Sequence, residues 1–136
     1  MPISFTDSLK KTFKKAFDFE TRSSRSEYWY FLIFVNVGIV VTWCFDNFFG
    51  LKRLPFIQIP TEEFIYIGYL GYFTIFFLML VAIPAYAVQV RRAHDINLSG
   101  WLILAQFLPY IGLISIIFFG VQKSYKGKNK FGEPDY

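Results

Sequence analysis

The sequence predicts an all-α membrane protein with an N-terminal amphipathic interfacial helix and three transmembrane helices. Three observations carry that expectation. Phe64 to Val90 runs 27 residues without a charge, and Trp101 to Gln122 runs another 22. At about 1.5 Å per residue, each can cross a hydrocarbon core of roughly 30 Å. The chain is 54% hydrophobic and 22% aromatic, too apolar for a soluble domain of 136 residues. Its charges are also gathered into blocks between the apolar runs rather than scattered along them.

That length allows one domain, residues 1–136. The net charge of +4 comes from basic residues flanking the spans, where they set orientation and meet anionic head groups. Membrane lipids, anionic ones above all, are therefore the expected partners, and nucleic acid is not. The single cysteine, Cys44, lies inside the first apolar run. It rules out an internal disulfide and a zinc site built from several cysteines, and it reads as a small buried hydrophobe. No metal or cofactor is expected. Residues 1–27 lack the pattern of a cleavable signal peptide, so the first span is expected to serve as its own signal.

Residues 5–20 read as the interfacial helix. Phe5, Leu9, Phe13, Ala16 and Phe17 recur at three- and four-residue spacing, with Lys10, Lys11, Lys14 and Lys15 on the other faces. Ser4 or Thr6 can cap its start. Ser24 and Glu27 have capping-box spacing just before the first span, 28–49, and Tyr28, Trp29 and Tyr30 suit head-group depth. A loop from Gly50 to Glu63 leads to Pro60 and Thr61, which open the second span, 64–90. Gly68 and Gly71 permit close helix approach there, and Pro84 interrupts the span. The third span, 101–122, carries Pro109-Tyr110 at its middle, and residues 123–136 form a surface tail.

Orientation turns on that third span. Residues 1–27 hold six Lys/Arg, the 50–63 loop two, residues 91–100 two and the tail four. Three full spans with the N-terminus inside place eight inside and six outside, a thin margin for the positive-inside rule. A break or re-entrant turn at Pro109 would place twelve inside against two outside. It would also leave non-helical backbone that protein must bury. Three spans with a cytoplasmic N-terminus are the expectation, with the side of the C-terminus open.

The polar stretch from Arg91 to Trp101 holds the only histidine, His94. Together with Arg22, Arg25 and Glu27, the residues Arg91, Arg92, His94 and Asp95 form a candidate cluster at one membrane face. Arg91 and Asp95 are spaced to pair on a helix. Asp95 could instead serve the loop backbone, with Asn97 supporting the turn. The cluster could lock helices together, or leave an arginine fork for an anionic lipid head group or small anion. Ser99 is a candidate cap, Gly100 a turn residue and Trp101 an interfacial anchor. Enzyme signatures are scarce, with no defensible triad, phosphate loop or metal cluster, so no catalytic residue is assigned. The spans also lack a charged residue near mid-depth, which argues against an ion-coupled carrier.

Arg22-Ser23-Ser24-Arg25-Ser26-Glu27-Tyr28-Trp29 and Arg91–Trp101 resemble the motifs of the domain-of-unknown-function 805 family. These are small bacterial inner-membrane proteins of the YhaH and YhaI type. Pro84 and the terminal Asn129-Lys130-Phe131-Gly132-Glu133-Pro134 match as well, with the final proline one residue early. Thr21 stands where the family has Gly, Ala93 where it has Leu, and Asn97 where it often has Gly. An asparagine can still adopt the left-handed turn conformation. The resemblance implies a multi-pass protein of the bacterial inner membrane and supplies no activity. The expected function is a non-enzymatic scaffold or interaction protein, forming homo-oligomers, with anionic-ligand binding or transport as the alternative.

Overall fold

A computed structural model describes residues 4–50, 53–54, 70–108 and 110–134. Helix α1 is Phe5–Lys14 and helix α2 is Arg25–Phe48. Two-residue strands β1 (Arg53–Leu54) and β2 (Leu70–Gly71) pair antiparallel, Arg53 opposite Gly71. Helix α3 is Tyr72–Asp95, followed by a 3₁₀ segment, Gly100–Phe107, and helix α4, Ile111–Val121. Among the described residues, the regular structure is helical apart from that short ladder and an isolated Asn129–Gly132 bridge. Helices α2 and α3, of 24 residues each, are long and apolar enough to cross a membrane.

The boundaries depart from the sequence expectations for local physical reasons. Helix α1 stops at Lys14, short of residue 20, because the next turn is claimed by Asp18. Its carboxylate accepts the Glu20 and Thr21 amides at 3.0 and 3.1 Å and the Thr21 hydroxyl at 2.7 Å. Helix α2 begins directly after Ser24, whose hydroxyl accepts the Glu27 amide at 3.2 Å, as a capping serine should. The second long helix begins at Tyr72 rather than 64 and runs on to Asp95 rather than 90. The loop residues 55–63 and the first residues of that span, 64–69, Gly68 included, lie outside the described residues.

The third span is not one helix. An eight-residue 3₁₀ segment rises roughly 16 Å and the eleven-residue α4 about as much. Each is about half of what a crossing needs. Tyr110, at φ 66°, stands in the left-handed region between them, beside the expected break; Pro109 itself lies outside the described residues. The Gly112 amide turns back to the Leu108 carbonyl at 2.8 Å.

The chain divides into two units by contact, residues 1–33 with 83–136, and residues 34–82. In the first, Tyr28, Ala93, Ile103 and Phe119 form a core, joined by Leu32, Val90, Ile96, Leu98 and Ile116. The start of α2, the end of α3, the 3₁₀ segment and α4 all contribute to it. In the second, Asp46 of α2 caps α3, accepting the Phe73 amide at 3.0 Å, the Thr74 amide at 3.0 Å and the Thr74 hydroxyl at 2.7 Å. A carboxylate at those first amides satisfies donors that the helix itself cannot, which fixes the start of α3 at Tyr72. Gly71 makes room for it, since a methyl group there would collide with the Asp46 side chain.

Candidate functional site

The last turn of α3 is built to end where it does. Asn97 takes φ 63°, the Leu98 amide reaches back to the Ala93 carbonyl at 2.9 Å, and the Asn97 amide to the His94 carbonyl at 3.0 Å. This pair of bonds is the Schellman closure, with asparagine in the usual place of glycine. Ser99 precedes the 3₁₀ segment without a side-chain cap bond. Gly100 packs so closely that an added methyl would stand 2.8 Å from Val90 and 3.2 Å from His94. Trp101 is 79% exposed, as an interfacial anchor would be.

Within that frame, Arg22, Glu27, Arg91, Arg92 and Asp95 are fully buried and His94 nearly so. Asp95 is the hub. One of its oxygens takes Arg22 Nε at 3.0 Å and Arg22 Nη2 at 2.9 Å, and the other takes Arg92 Nη1. The expected Arg91–Asp95 pair does not form. Arg91 instead meets Glu27 at 3.0 Å, while Thr12 and Lys11 of α1 approach the same carboxylate at 3.3 and 3.5 Å. Arg91 and Glu27 sit within ion-pair distance but off hydrogen-bond alignment, and Arg91 Nη1 has no hydrogen-bond partner among the described residues. Arg25, at the head of α2, is exposed, and no described ion pair draws it into the cluster.

The remaining donors of Arg22 and Arg92 go mostly to main-chain oxygens. Arg22 reaches the carbonyls of Tyr125 (2.6 Å), Gly127 (2.7 Å) and Gly132 (3.2 Å). Arg92 reaches the carbonyl of Phe119 at 2.7 Å, that of Gln122, and the Ser124 hydroxyl at 3.2 Å. A buried guanidinium needs acceptors for its five N–H groups, and the planar fork suits several at once. The tail is held from the α3 side too. The Tyr125 amide donates to the Asp95 carbonyl at 2.9 Å, and Asn129 Nδ2 to the His94 carbonyl at 2.9 Å. Phe131 stacks on the His94 ring at 3.7 Å and 8°. The Asn129–Gly132 turn closes through reciprocal amide–carbonyl bonds of 3.1 and 3.0 Å, with Gly132 at φ 102°, a region that favours glycine.

Sequence reasoning placed the arginines, Glu27 and Asp95 at one face but missed their acceptors. Those are main-chain oxygens, which leave no residue-type signature. The available signal was the terminal Asn129-Lys130-Phe131-Gly132 motif, whose asparagine, phenylalanine and glycine each engage the cluster. Asp46 as a cap for another helix was also missed, because capping across elements has no fixed spacing. Among the described residues, no group of three or more His, Cys, Asp or Glu is placed to hold a metal ion.

Comparison with known proteins identifies the family. A family model described as protein of unknown function (DUF805) matches residues 16–133. The chain is 34% identical over 125 residues to the inner membrane protein YhaH of Escherichia coli strain K12, covering 92% of each. It is 28% identical over 115 residues to the inner membrane protein YhaI of the same strain, covering 84% of this chain and 82% of that protein. No solved structure matches significantly. The matched region takes in both arginine segments, the helix end at Asp95 and the tail turn. The chain belongs to the DUF805 family.

Proposed function

We propose that the chain is a non-enzymatic scaffold of the bacterial inner membrane, with both termini on the cytoplasmic side. Its arginine–aspartate cluster is the lock that gives that face a fixed shape. The observation that supports this most is the commitment of the arginine donors. Arg22 and Arg92 share Asp95 and spend their other N–H groups on carbonyls from Phe119 to Gly132. A fork reserved for phosphate would leave donors facing an opening, whereas these groups are fully buried. Recognition of lipid or protein then falls to residues outside the lock.

The same contacts support two full crossings, α2 and α3, with residues 100–121 as a re-entrant hairpin. The chain leaves the end of α3 at Asp95 and returns beside it, where Arg92 holds Phe119 and Gln122. Both ends of the hairpin therefore belong to one membrane face. Its two arms pack through Ile103 and Phe119 onto Tyr28 and Ala93, with Leu108 and Tyr110 exposed at the break. This arrangement gathers twelve of the 14 Lys/Arg on one side, satisfying the positive-inside rule. The half-exposed Phe5 and Phe13 of α1, lying against Tyr30 and Phe31, suit a helix in the head-group plane.

Cysteine labelling tests the reading. In a Cys44→Ser background, Lys126→Cys is expected to resist a membrane-impermeant maleimide in intact spheroplasts and to react once the membrane is opened. Asn47→Cys, at the far end of α2, is expected to react in both. Labelling of position 126 in intact spheroplasts overturns the hairpin.

A further inference from the structure

The lock has a second consequence, because it fixes the backbone of a basic segment. The tail carries Lys123, Lys126, Lys128 and Lys130, all exposed. Its main-chain oxygens at Gln122, Tyr125, Gly127 and Gly132 are turned inward to the arginines. With the carbonyls inward, the lysine side chains are left outward. Lys130 lies over the Phe131 ring at 4.9 Å, and the other three extend from pinned backbone.

Polybasic segments beside membrane helices are commonly disordered, and lose conformational freedom when they settle on a charged surface. Here that ordering is already achieved by folding. Lys123 follows two residues after Val121, the last residue of an apolar helix whose Leu113, Ile114 and Ile117 are largely exposed. Tyr125, within the segment, is exposed, and the exposed Trp29 donates its indole N–H to the Gly120 carbonyl at 3.1 Å; both are aromatic types that settle at head-group depth. Exposed Lys10, Lys14 and Arg25 belong to the same unit, against few acids.

We infer that Lys123, Lys126 and Lys128 form a preorganised site for the phosphodiester head groups of anionic phospholipids in the cytoplasmic leaflet. Tyr125 and Trp29 select a lipid surface over an acidic protein segment, because they set exposed aromatic rings beside the basic segment. The inference rests on the proposed placement of the tail at that face, which the labelling experiment reads separately.

The test uses the full chain with Trp43→Phe, reconstituted in phosphatidylcholine vesicles, so that Trp29 and Trp101 report. Either phosphatidylglycerol or phosphatidylcholine carrying brominated acyl chains is added at equal mole fraction. The brominated anionic lipid is expected to associate about fivefold more strongly at low salt. The preference should shrink in 0.5 M sodium chloride, where screening acts within a few ångströms. Lys123→Gln/Lys126→Gln/Lys128→Gln should bring it close to unity, and the matching triple arginine variant should keep it. Equal quenching by the two lipids, with position 126 still protected from external label, overturns the lipid site and leaves the topology standing. An undiminished preference in the glutamine variant also overturns it. That result would free these lysines for an acidic protein partner.

Discussion

Asp95 stands at the C-terminal end of α3, where the helix dipole and the unpaired carbonyls disfavour a negative charge. It is tolerated because Arg22 and Arg92 converge on its two oxygens. Breaking a buried ion pair by neutralising one partner is far costlier than never having built it, since the other charge is left stranded. Asp95→Asn is therefore expected to destabilise the chain by about 3–5 kcal/mol, read from thermal unfolding in detergent micelles. A loss under about 1 kcal/mol would mean that the carbonyls alone hold the arginines. Asp18 gives a milder, pH-dependent case. Burial alone would raise its pKa, but hydrogen bonds from the Thr21 hydroxyl and the Thr21 and Glu20 amides, with Lys15 nearby, bring it below the ordinary 3.8. Its contribution is thus fully present above the unfolded value and lost as pH falls through the folded one. Protection of the Glu20 and Thr21 amides, relative to their intrinsic exchange rates, should fall as pH drops below the ordinary 3.8, and Asp18→Asn should remove that dependence.

At the scale of elements, the legible features were those whose signal is local. Ser24 with Glu27 marked the head of α2, and Asn97 marked a left-handed turn. Both hold in detail, although Glu27 does not return the capping bond and turns to Arg91 instead. The Asn97 conformation predicts that Asn97→Gly is nearly neutral, while Asn97→Val costs about 1–2 kcal/mol, because a β-branched residue is strained in that region. Equal melting temperatures for the two variants would refute the Schellman end. The misjudged features were non-local. Apolarity alone extended the second span back to residue 64, whereas Asp46, far away in sequence, decides where α3 starts. Likewise the 22 uncharged residues were expected as one span, with a break at Pro109 as the alternative, and Tyr110 divides them into two helical pieces. Hydropathy counts residues available to lipid; it does not see that two short helices can fold back on each other.

For the whole molecule, the tail is part of the first unit's structure, although its composition reads as an appendage. Truncation after Gln122 would remove the carbonyl acceptors at Tyr125, Gly127 and Gly132 from a buried Arg22. The shortened chain is expected to melt well below the full one and to be cleared by proteolysis in cells. The triple glutamine tail variant should melt like the wild type. The reverse order would make the tail a passive appendage. Because the arginines read main-chain oxygens, they are indifferent to what most tail side chains are. Drift in sequence is then cheap wherever the backbone path is kept, and costly at Gly127, Asn129 and Gly132, which set that path, and at Ser124 and Phe131, whose side chains meet Arg92 and His94. A randomised tail selected for expression alone should return those five positions and scramble the lysines. The tail can therefore exchange one surface chemistry for another over evolution without the fold having to change.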